Sequence, residues 1–314
     1  MKLDPKSTAF VFPGQGSQTV GMGSELATHY PIAKKTFEEA DAILNFGISK
    51  IMWEGPVEEL SDTINTQPAL YVHSLAAYRV FLEIYPDFKP AAVAGHSLGE
   101  LSALTTAGAL TFDAGLLLVR KRGELMKKAG EKNPGSMAAV LNLDIPTLEK
   151  ICADASSDSE PVQVANDNCP GQIVISGSKA AIERAMAGAK AAGAKRAIPL
   201  AVSIAAHSKL MATIQDEWNE AVKTTKINDP SMQIIGNVKA GLIRNSADVC
   251  TDIQSQMQSR VRWTETIQML TNEGITTFVE AGPGNVLLGL IRRIAPSSSG
   301  FTLGKPTDYE TLRN

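Results

Sequence analysis

The apolar run Ala91-Ala92-Val93-Ala94, followed at once by Gly95-His96-Ser97-Leu98-Gly99, constrains this chain more than any other stretch. A strand, a Gly-x-Ser-x-Gly turn and a helix-like stretch from Glu100 to Leu110 form the setting in which a serine hydroxyl stands exposed on a sharp turn. Glycine at 95 and 99 suits a turn with no room for side chains. Helix onset just past Ser97 aims backbone N–H groups at the hydroxyl, where they can stabilise an oxyanion. A plain glycine-rich turn has the same spelling, so the pattern alone leaves both readings open. The nucleophilic reading implies covalent acyl chemistry.

Composition narrows the class. A chain of 314 residues holds two domains, or one large domain with an insertion. Hydrophobic content of 44% and charged content of 20% fit a soluble globular protein. A net charge of −3, with no basic stretch interleaved with aromatics, argues against nucleic acid as a partner. Cys152, Cys169 and Cys250 are widely spaced, form no metal-ligand pattern and suit a reducing compartment. Met1 to Thr8 is polar, and no apolar run approaches membrane-spanning length. A cytoplasmic enzyme with no metal and no membrane association is expected.

Hydrophobic periodicity places the elements. Ala9 to Phe12 reads as a strand ending in the loop Pro13 to Gln18. Helical patterns cover Ile32 to Leu44, Ala69 to Ile84 and Thr111 to Ala129. Between Pro134 and Pro199 the texture changes. Strands at Ser136–Leu141, Pro161–Ala165, Gln172–Ser176 and Arg196–Leu200 alternate with helices at Ile145–Ala155 and Ala180–Ala192. The cluster Asn166 to Gly171 reads as the turn between the middle strands. This β-α-β-β-α-β order is ferredoxin-like. It splits an α/β domain into 1–133 and 201–314, with 134–200 inserted, and a site at the seam is expected. Beyond it, His207 to Thr225 patterns as a helix burying Leu210, Met211, Ile214 and Trp218. Val261 to Asn272 reads as a helix, Thr276 to Glu280 as a strand, and the tail after Pro296 as loosely packed.

A serine nucleophile needs a base, and the histidines are His29, His73, His96 and His207. His96 adjoins Ser97 on a sharp turn, where neighbouring side chains point apart, so it is a candidate pocket residue. His29 lies among polar residues and His73 inside a helical pattern. Elimination leaves His207, although it could equally open the buried face of its helix. The partner that fixes its tautomer, a carboxylate or a backbone carbonyl, stays open. Arg122 falls on the apolar stripe of Leu118, Leu125, Met126 and Ala129. A guanidinium there implies an internal salt bridge, a snorkelling side chain, or a fork for a substrate carboxylate. The Gly14-Gln15-Gly16 loop lacks the features of a phosphate loop. Glycine on both sides of Gln15 instead permits close backbone approach to the serine.

Together these residues resemble the malonyl-CoA:acyl carrier protein transacylase family of fatty acid biosynthesis and the acyltransferase domains of polyketide synthases. The markers are Phe12-Pro13-Gly14-Gln15-Gly16-Ser17-Gln18, Thr66-Gln67-Pro68-Ala69-Leu70, Gly95 to Glu100 and Arg120-Lys121-Arg122-Gly123. Asn166 with Pro170-Gly171-Gln172, His207-Ser208, Val261-Arg262-Trp263 and Glu280 to Gly284 complete them. The resemblance covers essentially the whole chain. It implies a hydrolase-like α/β core with a parallel sheet and an inserted ferredoxin-like subdomain. It implies Ser97 as nucleophile, His207 as base, and backbone N–H groups of Gln15 and Leu98 as oxyanion hole. It further implies Arg122 on the malonyl carboxylate, Gln67 and His96 at the pocket, and the Gln256 backbone carbonyl holding the histidine.

The implied reaction is a ping-pong exchange: malonyl-CoA acylates Ser97, and the phosphopantetheine thiol of acyl carrier protein takes the group. Malonyl-CoA is then a substrate, no cofactor is needed, and a monomer is expected. Ala205-Ala206 stands where many relatives carry a bulky residue, which implies a wider pocket and acceptance of methylmalonyl groups. Lys209 and Ser259-Arg260 also depart from the common pattern. A serine esterase or thioesterase shares the Gly-x-Ser-x-Gly turn and is the alternative reading.

Overall fold

The computed structural model describes residues 3–313. Its strands are β1 (Thr8–Phe12), β2 (Ala92–Gly95), β3 (Gly135–Leu141), β4 (Val162–Cys169), β5 (Gln172–Ser178), β6 (Arg196–Pro199), β7 (Gln233–Ile235), β8 (Leu242–Ile243), β9 (Thr277–Ala281) and β10 (Ser299–Leu303). Six of them form one sheet in the order β10-β9-β1-β2-β7-β8. It is parallel from β10 to β7, and β8 returns antiparallel at the edge. Every residue of β1 and β2 is buried, as a parallel sheet covered on both faces requires. Phe12 pairs with Gly95, so the Pro13–Gly16 loop and the Ser97 turn leave the sheet side by side at its carboxyl end. Ligand sites of open parallel sheets lie at that end.

The other four strands form an antiparallel sheet in the order β4-β5-β3-β6. Helices Ile145–Ala155 and Lys179–Ala191 pack Leu148, Cys152, Ile182 and Ala185 against Val140, Val164 and Ile175 on one face. Asp144 and Ser178 cap them through the N–H groups of Thr147 and Ala181. That strand order and helix placement are the ferredoxin-like arrangement.

Several sequence expectations change. The Asn166–Gly171 cluster is not all turn: β4 runs to Cys169, and the turn is Pro170–Gly171, where Gly171 has φ +75°. The polar residues extend the strand because they find partners across the seam. Asp167 N–H donates to Val261 O (2.9 Å) and Val261 N–H to Ala165 O (2.8 Å). Val261 is therefore bridged to β4, and its helix starts at Trp263. No helix begins at His207; a 3-10 turn spans Lys209–Ile214 and a helix Gln215–Thr224. Met211, Ile214 and Trp218 are buried as expected, Leu210 half-buried. The tail is well packed: β10 pairs with β9, and helix Pro306–Arg313 buries Tyr309 and Leu312. The Tyr309 hydroxyl donates to Ala77 O (2.8 Å). The helix expected from Ala69 starts at Thr63 behind the Asp62 cap, and the short strands β7 and β8 had no sequence signal strong enough to read. Among the described residues no helix is long and apolar enough to cross a membrane.

Candidate active site

Ser97 has φ +53°, in the left-handed region that non-glycine residues rarely occupy. The glycines either side make this turn sterically possible. A Cβ at Gly95 would lie 1.9 Å from the Gly99 backbone, and one at Gly99 would lie 2.0 Å from Phe12 O. Asn237, buried in the loop after β7, clamps the turn. Its Oδ1 accepts from Ser97 N–H (2.7 Å) and its Nδ2 donates to Gly95 O (2.7 Å).

The Ser97 hydroxyl lies 2.8 Å from His207 Nε2. His207 Nδ1 faces the carbonyls of Gln256 (2.9 Å) and Ser259 (3.1 Å). Carbonyls only accept, so Nδ1 carries the proton and Nε2 is free to accept from Ser97. Burial, and then the charge of Arg122, lower the His207 pKa to about 3. The ring is neutral and able to take a proton. His207 also has a positive φ, +57°, and Gln163 on β4 braces its backbone. Gln163 Nε2 donates to His207 O (3.1 Å) and Gln258 O (3.0 Å), and its Oε1 accepts from Lys209 N–H (3.2 Å).

Arg122 is 2% exposed, on the helix Phe112–Lys132. Nη1 donates to Gln67 Oε1 (2.8 Å), and Nη2 to Gln256 Oε1 (2.7 Å) and Ser97 Oγ (3.1 Å). Nε has no partner. Among the described residues no ion pair holds it, so the salt-bridge reading of this residue falls. Burial pulls its pKa down to about 10, which leaves it charged at neutral pH. The guanidinium is thus held by two amides and a hydroxyl, all neutral, and has no salt-bridge partner among the described residues.

These groups open into a cavity of about 830 Å³ between the two sheets. Gln15, His96, Ser97, Leu98, Arg122, Met137, Ala206 and His207 are among its lining residues. Neither Gln15 nor Leu98 N–H donates to a backbone carbonyl among the described residues. Gly14 allows that loop to approach, since a Cβ there would lie 2.5 Å from His96 O. His96 Nε2 is turned from the serine toward Asn168 Oδ1 (2.8 Å). Gln67 does not line the cavity as expected; it is 1% exposed and stands behind Arg122. Of the two small residues before the histidine, Ala206 reaches the cavity, whereas Ala205 is buried against Gly135.

Sequence reasoning missed the layer behind these residues. Gln256 contributes its side chain as well as its carbonyl: Nε2 donates to Ser97 O (2.9 Å) and to Glu100 Oε2. Glu100 Oε1 accepts from Asn237 N–H (2.9 Å), and Asp252 packs against the same carboxyl. Glu100 carried a readable signal, being an acid inside an apolar helical stretch. Asn237, Gln163, Asn168 and Asp252 carried none.

Residues 9–301 match the acyl transferase domain family. The malonyl CoA-acyl carrier protein transacylase of Haemophilus influenzae is 45% identical over 307 residues, covering 98% of each chain. That of Bacillus subtilis is 46% identical over 304 residues, 96% of this chain and 95% of its own. The crystal structure of an acyl carrier protein S-malonyltransferase from Vibrio cholerae superposes with a TM-score of 0.93 at 40% identity, covering 98% of this chain and 99% of that one. A type II polyketide synthase acyl-carrier protein in complex with its malonyl-transacylase also matches, at a TM-score of 0.93 and 38% identity over 98% of this chain and 99% of that one. Sequence and fold agree along the whole length, and the chain belongs to the malonyl CoA-acyl carrier protein transacylase family.

Proposed function

We propose that this chain moves a malonyl group from malonyl-CoA to the phosphopantetheine thiol of acyl carrier protein, through an ester on Ser97. The observation that carries the reading is one hydroxyl within reach of both a neutral imidazole, His207, and a buried, unneutralised guanidinium, Arg122. His207 Nε2 takes the Ser97 proton as Oγ attacks the thioester carbonyl. The N–H groups of Gln15 and Leu98 face the oxyanion. Collapse breaks the C–S bond, and His207 returns the proton to the CoA thiolate. The carrier thiol then loses its proton to His207, attacks the ester and releases Ser97. Arg122 holds the malonyl carboxylate throughout, which orients the ester for a thiol rather than water.

Relatives named for acyl carrier protein and a neighbour solved with its carrier support that partner. We read the site as lying between a discontinuous catalytic domain, 1–133 with 201–314, and an insertion, 134–200. The reaction needs no cofactor, and a cytoplasmic monomer is the setting we propose. Mass spectrometry of the intact protein tests the route. Malonyl-CoA should leave one malonyl group on Ser97, and added carrier protein should remove it. An adduct elsewhere, or loss to water alone, would end the reading in favour of an esterase.

Ala206 in the cavity wall favours a secondary activity, weak transfer of methylmalonyl groups held by the same Arg122. Competition among malonyl-, methylmalonyl- and acetyl-CoA measures it. Arg122→Ala should abolish the preference for both carboxylated groups, by roughly a hundredfold or more, while sparing acetyl transfer.

A further inference from the structure

Three buried groups stand in a row behind the serine: Asp252, Glu100 and Gln256, leading to Arg122. Glu100 is 0% exposed and Asp252 9%. Both oxygens of Glu100 are used, Oε1 by Asn237 N–H and Oε2 by Gln256 Nε2. The Asp252 carboxyl lies alongside: a Cβ at Gly236 would sit 2.6 Å from Asp252 Oδ1, and the N–H of the next residue, Asn237, is the one Glu100 accepts, while Asp252 Oδ2 has no partner. Carboxylates only accept, so contact between them requires a proton. Two like charges in contact away from water cannot both ionise. Burial, then Asp252, accordingly hold the Glu100 pKa well above the usual carboxylate range. The other charged groups facing this pair are Lys239, on the side of Asp252, and Arg122, beyond Gln256.

The Gln256 amide is oriented by its ends. Its nitrogen faces two acceptors, Ser97 O and Glu100, and its oxygen faces Arg122 Nη2. Glu100 therefore reaches Arg122 only across a neutral amide. An ionised Glu100 would place a full negative charge one side chain from the guanidinium, in surroundings where charges interact strongly. A neutral one leaves the guanidinium without a fixed counter-ion.

We infer that Asp252 sets the selectivity for a carboxylated acyl group, by sharing a proton with Glu100 and so keeping Glu100 from serving as the internal counter-ion of Arg122. The inference rests on the reading of Arg122 as the carboxylate clamp. Asp252 never touches substrate; it is a positioning residue acting through Glu100 and Gln256.

Asp252→Asn supplies an N–H to Glu100 in place of the shared proton and so lets Glu100 ionise. Its kcat/KM for malonyl-CoA should fall about tenfold, mostly in KM, while acetyl-CoA changes by about twofold or less. The double variant Glu100→Gln/Asp252→Asn makes position 100 neutral again and should return the malonyl-to-acetyl ratio to within about threefold of wild type. Equal losses on both substrates, or no recovery in the double variant, would overturn the inference. Infrared difference spectroscopy of the whole protein gives a readout independent of turnover. The protonated-carboxyl region, to which Glu280 also contributes, should lose one band in both Glu100→Gln and Asp252→Asn; an unchanged region in either variant would also overturn the inference. Arg122→Ala, assayed in parallel, separates the two levels. If it lowers malonyl and acetyl transfer by one factor, the clamp reading itself fails; if it is selective and Asp252→Asn is not, only the role of Asp252 fails.

Discussion

The turn that carries Ser97 and the loop that carries His207 meet at one hydrogen bond, yet they are held in different ways. The turn takes its shape from neighbours in sequence: Gly95 and Gly99 permit it, β2 and the following helix fix its ends, and Asn237 adds a clamp from farther along the chain. The loop draws its supports from far along the chain. Gln256 O and Ser259 O hold the ring, while Gln163, from the other sheet, holds the backbone. A locally built feature is fixed by sterics, where one methyl group is too much. A feature built from distant pieces is fixed by hydrogen bonds, each worth about 1 kcal/mol net, and its failure is graded.

The largest expected effect breaks the shared point. Ser97→Ala should cost on the order of 10⁴-fold or more in transfer and leave no malonyl adduct by mass spectrometry. His207→Ala follows, at about 10³-fold in kcat, against about tenfold or less for His96→Ala, whose ring faces Asn168. The base must be neutral to act, and its pKa is lowered from 6.5 to about 3. The kcat/KM profile of the wild type should therefore stay flat as pH falls from about 7 to about 5. An acid limb centred near 6.5 would show that His207 is solvated or not the base.

Two substitutions then set the regions against each other. Gly95→Ala should destabilise the fold by about 3 kcal/mol or more, since the backbone it meets cannot yield. Denaturant unfolding measures this. Gln163→Ala should cost less, about 1–2 kcal/mol, and lower kcat by about tenfold with little change in KM. Equal stability losses in the two variants would erase the distinction between a steric and a hydrogen-bonded support.

The smallest effect concerns a carboxyl outside the site. Glu280 caps the helix Val286–Ile294 through the N–H groups of Leu287 and Leu288. Burial raises its pKa from 4.5 to about 7. The folded state then binds the proton more tightly than the unfolded state, so this group lowers stability as pH rises from 4.5 toward 7. Glu280→Gln should remove on the order of 1–2 kcal/mol of that pH dependence, read as the difference between melting curves at the two ends of the range. An identical pH dependence in variant and wild type would refute the assignment.

What could be read in advance follows the same division. Ser97 was legible because strand, turn and helix are contiguous, and Arg122 because a charge on an apolar stripe is conspicuous. The β-α-β-β-α-β order was legible because its periodicities alternate. His207 emerged by elimination rather than by pattern, and its helix was misplaced because a positive φ leaves no trace in a histidine codeword. Asn166 to Cys169 read as turn because the partners of their polar groups, Val261, Thr264 and His96, are far away in the chain. The tail after Pro296 read as loose because Tyr309 and Leu312 are few, and their burial depends on the helix Thr63–Ile84. Asn237, Gln163 and Asp252 are ordinary polar residues until the fold gives them partners.

The seam at β4 has a consequence for transplantation. The strand is bonded to Val261 on one side, and its Gln163 grips the His207 loop on the other. Arg122, Gln256, Glu100 and Asp252 all come from the larger body. Exchanging the inserted lobe with that of a relative should therefore alter the rate, through the grip on the His207 loop, more than the choice of a carboxylated group by Arg122. The insertion would tune how fast the site works, while the groups that do the chemistry stay with the body that surrounds it.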